Sequence, residues 1–407
     1  METIYQRCCG IDVHKSVIVA CLRDGRKTET RSFGATTDEL RKLADWLVES
    51  KCEISAMEST GSYWKPIYNV MEALGIEIIV VNAQHIKNVP GRKTDAKDSE
   101  WIAQLLQCGL LKASYIPDRA QRELREVSRY RKSLVEERAR ELNRLSKILE
   151  GGNIKITSVV KDVNGMTSRN LIGAMLGEGV HEDNIDNLLC GSLREKREEL
   201  LKACDGYLTA LQKKLLRAIL DHIDDMTRRI KDMDGIISEQ LKEAENALKR
   251  IQEIPGIAER SAQVILSEIG MDMSRFPTDG HLARWSGLAP GNNESAQKRK
   301  SGKTTKGNNT LKTTLIQCAQ IAKRTKGSFF KAQFERLVVR RGKNRATVAV
   351  AHSMLIAIYH ILKDNVTFVD LGEQYYTQFN TEKKINHYLK KLESLGWTPP
   401  SLQPALS

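Results

Sequence analysis

Residues 7–22, RCCGIDVHKSVIVACL, decide the fold. They read as two short strands, the first carrying Asp12 in or just beyond its end and the second being Val17-Ile18-Val19-Ala20-Cys21-Leu22. Gly25 turns the chain again, and Lys27 to Phe33 alternates weakly as a third strand, so a three-strand meander is the economical reading. Working outward, Thr36-Thr37-Asp38-Glu39 has the Thr-x-x-Glu form of a capping box and opens an amphipathic helix through Leu40, Leu43, Ala44 and Leu47. Ile54-Ser55-Ala56-Met57-Glu58 is a strand ending on an acid, a helix runs on to Leu74, and Glu77 to Val81 is a buried strand. Three strands, helix, strand, helix, strand, helix is an α/β plan, in which sites form outside the strand ends.

Four acids fall where such a site would be. Asp12 sits in an apolar strand and Glu58 ends another; Asp95 and Asp98 stand three residues apart in GRKTDAKDSEWIAQLL, residues 91–106, at the head of a helix. Residues three apart share a helix face, and two like charges there repel unless a divalent cation is held between them. Lys93 and Lys97 and the positive end of the helix dipole offer a plainer account, a solvated first turn. Strand-end acids facing water would explain Asp12 and Glu58 in the same way, because a buried lone carboxylate is costly. Four acids in one architectural pattern are harder to dismiss, since two divalent ions about 4 Å apart need several bridging carboxylates to act on a phosphodiester.

The chain has 407 residues, 41% hydrophobic and 28% charged, which is an ordinary soluble composition with room for two or three domains. No apolar run approaches the roughly 20 residues needed to span a bilayer and no signal peptide is legible, so no membrane partner is expected and a cytoplasmic location is. The eight cysteines form no C-x-x-C pair and read as reduced, buried small residues. Charge is more informative. Of a net +13, an equivalent excess sits between Ser295 and Val350, where 15 Lys and Arg face Glu335 alone. A solvated face normally mixes signs, so this segment favours a polyanion, most simply nucleic acid.

Residues 118–250 contain no proline and show heptad-like stripes: Leu124, Val127, Leu134, Leu142, Leu145 and Leu149 before Gly151-Gly152, then Leu208, Leu211, Leu215, Ile219, His222, Met226, Ile230, Met233 and Ile237. They read as a helical arm that dimerises, with smaller helices between and His222 as a packed seam residue. Ile254-Pro255-Gly256-Ile257 between two helices has the form of a helix-hairpin-helix, whose turn at Gly256 can offer backbone N–H groups to a phosphate; an ordinary helix-helix turn would look similar. Beyond it, residues 285–309 form a polar, Gly-rich, basic loop before a further helix, with Lys298, Arg299, Lys300, Lys303 and Lys306 as candidate nucleic-acid contacts.

Together GIDVHK, AMESTGSYW, GRKTDAKDSEWIAQLL, IPGI and WSGLAPGNNESAQKRKSGKTTKGNNTLK make the chain resemble the DEDD-type insertion-sequence transposases. That family is named after insertion sequence one hundred and ten and includes the pilin-gene invertase and bridge-RNA-guided serine recombinases. The resemblance implies an α/β plus α architecture: a ribonuclease-H-like metal-binding catalytic domain over residues 1–117, a helical coiled-coil arm over 118–250, and a mainly helical C-terminal transposase domain over 251–407. It implies Mg²⁺ or Mn²⁺ on Asp12, Glu58, Asp95 and Asp98, and a catalytic serine at Ser295, with Ser301 as the other candidate. Ala296-Gln297 stands where such proteins often have a glycine, and Lys312 replaces a frequent arginine. The implied partners are donor and target DNA, a structured noncoding RNA and further copies of the chain, a dimer or an active tetramer, in a bacterial or archaeal cell near the nucleoid. A metal-dependent junction nuclease using water, or an inert nucleic-acid-binding protein, would need fewer of these features.

Overall fold

The computed structural model describes residues 3–59, 61–82, 86, 98–291, 293–295, 298–301 and 303–396, with 293–295, 298–301 and 377–384 described by backbone alone. The chain forms two compact units, Met1–Asp118 and Arg119–Ser407.

In the first unit, β1 (Arg7–Val13), β2 (Val17–Asp24) and β3 (Lys27–Gly34) make the expected antiparallel meander. β4 (Ile54–Glu58) and β5 (Ile78–Val81) then add in parallel on the far side of β1, giving the order β3-β2-β1-β4-β5. Parallel neighbours need crossovers. These are α1 (Thr37–Glu49) and α2 (Trp64–Ala73), both on one face of the sheet. Because side chains alternate along a strand, Cys9, Ile11 and Val13 of β1 pack with Leu43, Leu47, Ile67 and Met71 of those helices. Cys8 of β1 and Ile54 and Ala56 of β4 point the other way, onto Trp101, Ile102, Leu105 and Leu106 of α3 (Asp98–Gln107). The capping box does not form. Thr36 is the N-cap of α1 but makes no side-chain cap bond, and the Glu39 carboxylate accepts from the Gly34 N–H at 3.2 Å and from Lys42 at 2.7 Å. All eight cysteines are free, and burial pushes the Cys8 thiol up to about 12, which keeps it an inert packing group.

In the second unit, α4 (Arg119–Gly151) and α6 (Ala210–Gln240) lie antiparallel. The direction follows from Arg131 Nε to Asp234 Oδ1 at 2.5 Å, Arg138 Nη1 donating to Thr227 Oγ1 at 3.3 Å, and His222 Nδ1 at 3.6 Å from Glu141 Oε1. Between them α5 (Met166–Leu176) and shorter helical pieces close the end of the arm over Leu145, Leu149, Ile172, Ile185 and Leu200. The buried stripe of α6 differs from the expected one. Leu211 and Leu215 are 77% and 50% exposed and His222 is exposed rather than packed, while Leu216 and Ile223 are fully buried. Two stripes with the same steps run side by side, and the apolar alternative to His222 is the one that packs on α4. Thr209 and Gln212 form a reciprocal capping box at the start of α6.

The unit continues through α7 (Glu245–Gln252), α8 (Glu259–Ile269), α9 (Asp279–Trp285), a hairpin of β6 (Asn293–Ser295) and β7 (Lys298–Ser301), then α10 (Asn309–Ala322), α11 (Phe329–Arg341), α12 (Lys343–Lys363) and α13 (Tyr375–Ser394). Helix α12 is long and apolar enough by composition to cross a membrane. Its Val350, Ala351, Met354, Leu355 and Ile358 are nonetheless fully buried among the surrounding helices, which is the pattern of a core helix.

Candidate active site and nucleic-acid interface

Three of the four candidate acids come to one end of the sheet on one face. Cys8 faces α3, and alternation carries Asp12 to the same side; Ile54 and Ala56 do likewise for Glu58. Ile11 pairs with Met57, so Asp12 and Glu58 are each the next residue along two adjacent parallel strands. Helix α3 runs antiparallel to β1: its last residues meet the strand's start, where the Ile4 N–H donates to the Gln107 carbonyl at 2.9 Å. Its head lies over Gly10, where an added Cβ would overlap the Ser99 carbonyl oxygen and the Ala103 nitrogen and stand 2.9 Å from Ala103 Cα. Glycine at this strand position lets a helix backbone rest on the sheet, and it places Asp98, the exposed first residue of α3, beside the end of β1 that carries Asp12.

Asp12 is 21% exposed and its Oδ2 lies 3.0 Å from His14 Nε2. Asp95, with Lys93 and Lys97, falls outside the described residues. Among the described residues no three His, Cys, Asp or Glu side chains approach closely enough to hold an ion. The donor chemistry fits one all the same, since carboxylate oxygens are the ligands Mg²⁺ and Mn²⁺ take. An unsatisfied group marks the same place: Ser99 Oγ, next to Asp98, is buried and has no hydrogen-bond partner among the described residues.

The polar loop expected around Ser295 is a β-ribbon. Ser295 pairs with Lys298 and Asn293 with Ser301, so Ser295 is at the tip of the hairpin and Ser301 two positions nearer its base. The ribbon continues through Gly291 N–H to the Lys303 carbonyl at 2.8 Å and Thr305 N–H to the Ala289 carbonyl at 3.2 Å. Lys312 ties it to α10 by donating to Thr304 Oγ1 at 2.6 Å. At the base, Asn308 caps α10, its N–H reaches the Trp285 carbonyl at 3.1 Å, and its Nδ2 donates to Glu268 Oε2 at 2.6 Å. Glu268 is fully buried, with Arg129 in a two-pronged pair at 2.8 and 2.8 Å and Arg125 at 3.6 Å. That hydrogen bonding raises the Arg129 pKa above its ordinary value. The guanidinium of Arg125 also lies 5.3 Å from the Trp285 ring centre. Sequence reading missed Glu268, Arg125, Arg129 and Asn308. The available signal was a lone acid within the apolar face of QVILSEI, residues 263–269.

Gly256 has the expected tight turn, with φ at +88°. Its Cα side faces α10, where a Cβ would be 2.9 Å from the Ala322 nitrogen, so helix packing alone requires glycine here. Lys303 and Lys306 are exposed beside the ribbon, and Lys298, Arg299 and Lys300 lie on β7.

The family model for DEDD-type transposases of the IS110 group, described as a transposase, matches residues 9–154, which contain all four acids. A second model, the IS116/IS110/IS902 transposase family, matches residues 248–335, which contain Gly256 and the Ser295 hairpin. The transposase for insertion sequence element IS1111A of Coxiella burnetii is 23% identical over 88% of this chain and 90% of that protein. A putative transposase of Sinorhizobium fredii, y4qE, is 24% identical over 76% of this chain and 70% of its own length. With both ends of the chain matched to one family in this order, and the relatives spanning most of its length, the chain belongs to the IS110 family of transposases, enzymes that cut and rejoin DNA.

Proposed function

We propose that this transposase moves an insertion sequence by DNA strand exchange through a covalent phosphoserine at Ser295, with Mg²⁺ or Mn²⁺ held by Asp12, Glu58, Asp95 and Asp98. The observation that carries the reading is the convergence of Asp12, Glu58 and the Asp98 end of α3 on one face of one sheet end. The strand order, with an antiparallel meander and two parallel additions beside β1, supports a ribonuclease-H-like domain over residues 1–117. We take 118–250 as the arm and 251–407 as the domain that supplies the serine, in an oligomer that brings acids and serine to one phosphate.

A bound divalent ion would supply Lewis-acid charge at the scissile phosphate. The rest falls to the chain. The Ser295 oxygen bonds to phosphorus as the bond from phosphorus to one deoxyribose oxygen breaks; the serine proton is passed on and the departing oxygen ends protonated. A hydroxyl from the partner strand then attacks the same phosphorus and returns the proton to serine. No net phosphodiester is lost, which is what separates exchange from hydrolysis. Lysines and arginines of the hairpin offset the charge that develops on the phosphate oxygens. A structured noncoding RNA that pairs with donor and target DNA would choose the sequences, leaving the protein to grip shape and backbone.

The test uses purified protein, element-end DNA, transcripts from the element's flanks and Mg²⁺. Cleavage should leave a denaturation-resistant protein–DNA adduct on the peptide from Gly291 to Lys298. Ser295→Ala should lose adduct and recombination while keeping DNA affinity. If Ser295→Ala still cuts at the parental rate and neither protein forms an adduct, hydrolysis by metal-bound water replaces this reading. An adduct on Ser301 would correct the residue.

A further inference from the structure

Six cations meet at one corner of the second unit. Lys323 is the C-cap of α10 and Arg324 follows it. Arg340 and Arg341 end α11, Gly342 alone separates that helix from α12, and Lys343 and Arg345 lie in the first turn of α12. The Lys323 ammonium stands 4.7 Å from the ring centre of Phe334, which sets the end of α10 against α11. Its pKa is lowered by desolvation and by the nearby charges of Arg324 and Lys343. The other five are exposed, and among the described residues none of the six is in an ion pair. Glu335, the one acid of residues 295–350, is taken by Lys331 at 3.7 Å.

Fold stability does not explain this arrangement. Cations at the end of α11 suit its helix dipole, but Lys343 and Arg345 sit at the positive end of α12, whose first turn holds no acid. Like charges held this close repel one another on a bare protein. A surface that repels itself when free is relieved by an anion that spans it, and a duplex carries one phosphate charge per about 1.7 Å of axis.

We propose that the corner formed by the ends of α10 and α11 and the start of α12 grips the phosphate backbone of duplex DNA through Lys323, Arg324, Arg340, Arg341, Lys343 and Arg345. The choice of DNA rests on the strand-exchange reading above. The contact is sequence-independent: it would hold and orient the duplex, with sequence choice left to other groups.

Salt dependence tests it. A variant with Arg340→Gln, Arg341→Gln, Lys343→Gln and Arg345→Gln is compared with one of equal charge loss on exposed arm positions, Lys147→Gln, Lys214→Gln, Lys231→Gln and Lys242→Gln. Both are full-length, checked by circular dichroism, and titrated against a labelled 30-base-pair duplex by anisotropy over a range of salt. Each lost phosphate contact lowers the slope of log affinity against log salt by about 0.9, so the corner variant should lose about 3 to 4 in slope and at least about tenfold in affinity. The arm variant should keep the parental slope. Equal slopes in the two variants overturn the proposal, because net charge alone would then be at work. Loss of affinity for a structured RNA with duplex binding intact also overturns it and gives the corner to RNA. Ser295→Ala is read by adduct formation and this surface by salt slope, so either can fail while the other stands.

Discussion

Glu268, in the second unit, is fully buried, and both of its oxygens are engaged, by two prongs of Arg129 and by Asn308. Asp12, in the first unit, is 21% exposed at a strand end and has His14 on one oxygen. Next to Asp98 in that unit, Ser99 Oγ is buried with no partner among the described residues. A carboxylate saturated by guanidinium and amide has nothing left to offer a ligand and acts as a clamp, here between α4, α8 and the base of the Ser295 ribbon. A carboxylate lightly held beside other acids costs the fold little and keeps its oxygens for a ligand. Burial and saturation thus separate a structural acid from a candidate catalytic one more sharply than sequence position does.

Substitutions separate the two kinds of acid. The largest effect is expected at the scaffold beneath the acids: Gly10→Val forces α3 off β1, because the Cβ would meet helix backbone rather than a flexible side chain. Overpacking of that kind costs about 3 kcal/mol or more. Hydrogen exchange should rise through α3 and the sheet while the second unit stays protected; an unperturbed α3 would remove the basis for placing Asp98 beside Asp12.

Glu268→Gln comes next. It keeps the shape but leaves Arg125 and Arg129 without their charge partner, at a cost of about 2–3 kcal/mol. The loss should appear as earlier unfolding of the second unit in thermal or denaturant melts. Strand exchange should fall with it, since Asn308 at the ribbon base then loses its charged anchor. A melt equal to the parent's would mean that the clamp is ornamental.

Asp12→Asn should barely move stability, within about 0.5 kcal/mol, because the carboxylate is partly exposed at a strand end and His14 holds one of its oxygens. Mg²⁺-dependent cleavage should nevertheless disappear. If Asp12→Asn destabilises as much as Glu268→Gln, or cleaves like the parent, the contrast between clamp and ligand acid fails.

Element order in the first unit, the two long helices of the second and the strand-end positions of Asp12 and Glu58 were legible without a structure, because each is written in local periodicity or in a short motif. Strand period put Asp12 and Glu58 at strand ends, and the break at Gly151-Gly152 ended α4. Other features depended on partners remote in sequence. Whether Leu215 and His222 or Leu216 and Ile223 face inward is decided by α4, since both stripes have helical steps and only contact removes one from water. The pairing of residues 293–295 with 298–301, the seating of α3 on Gly10 and the burial of Glu268 between Arg129 and Asn308 are likewise set by tertiary contacts. The physical reason is common to all of them: backbone periodicity is a property of neighbours along the chain, whereas burial and saturation are properties of whatever the fold brings across to meet them.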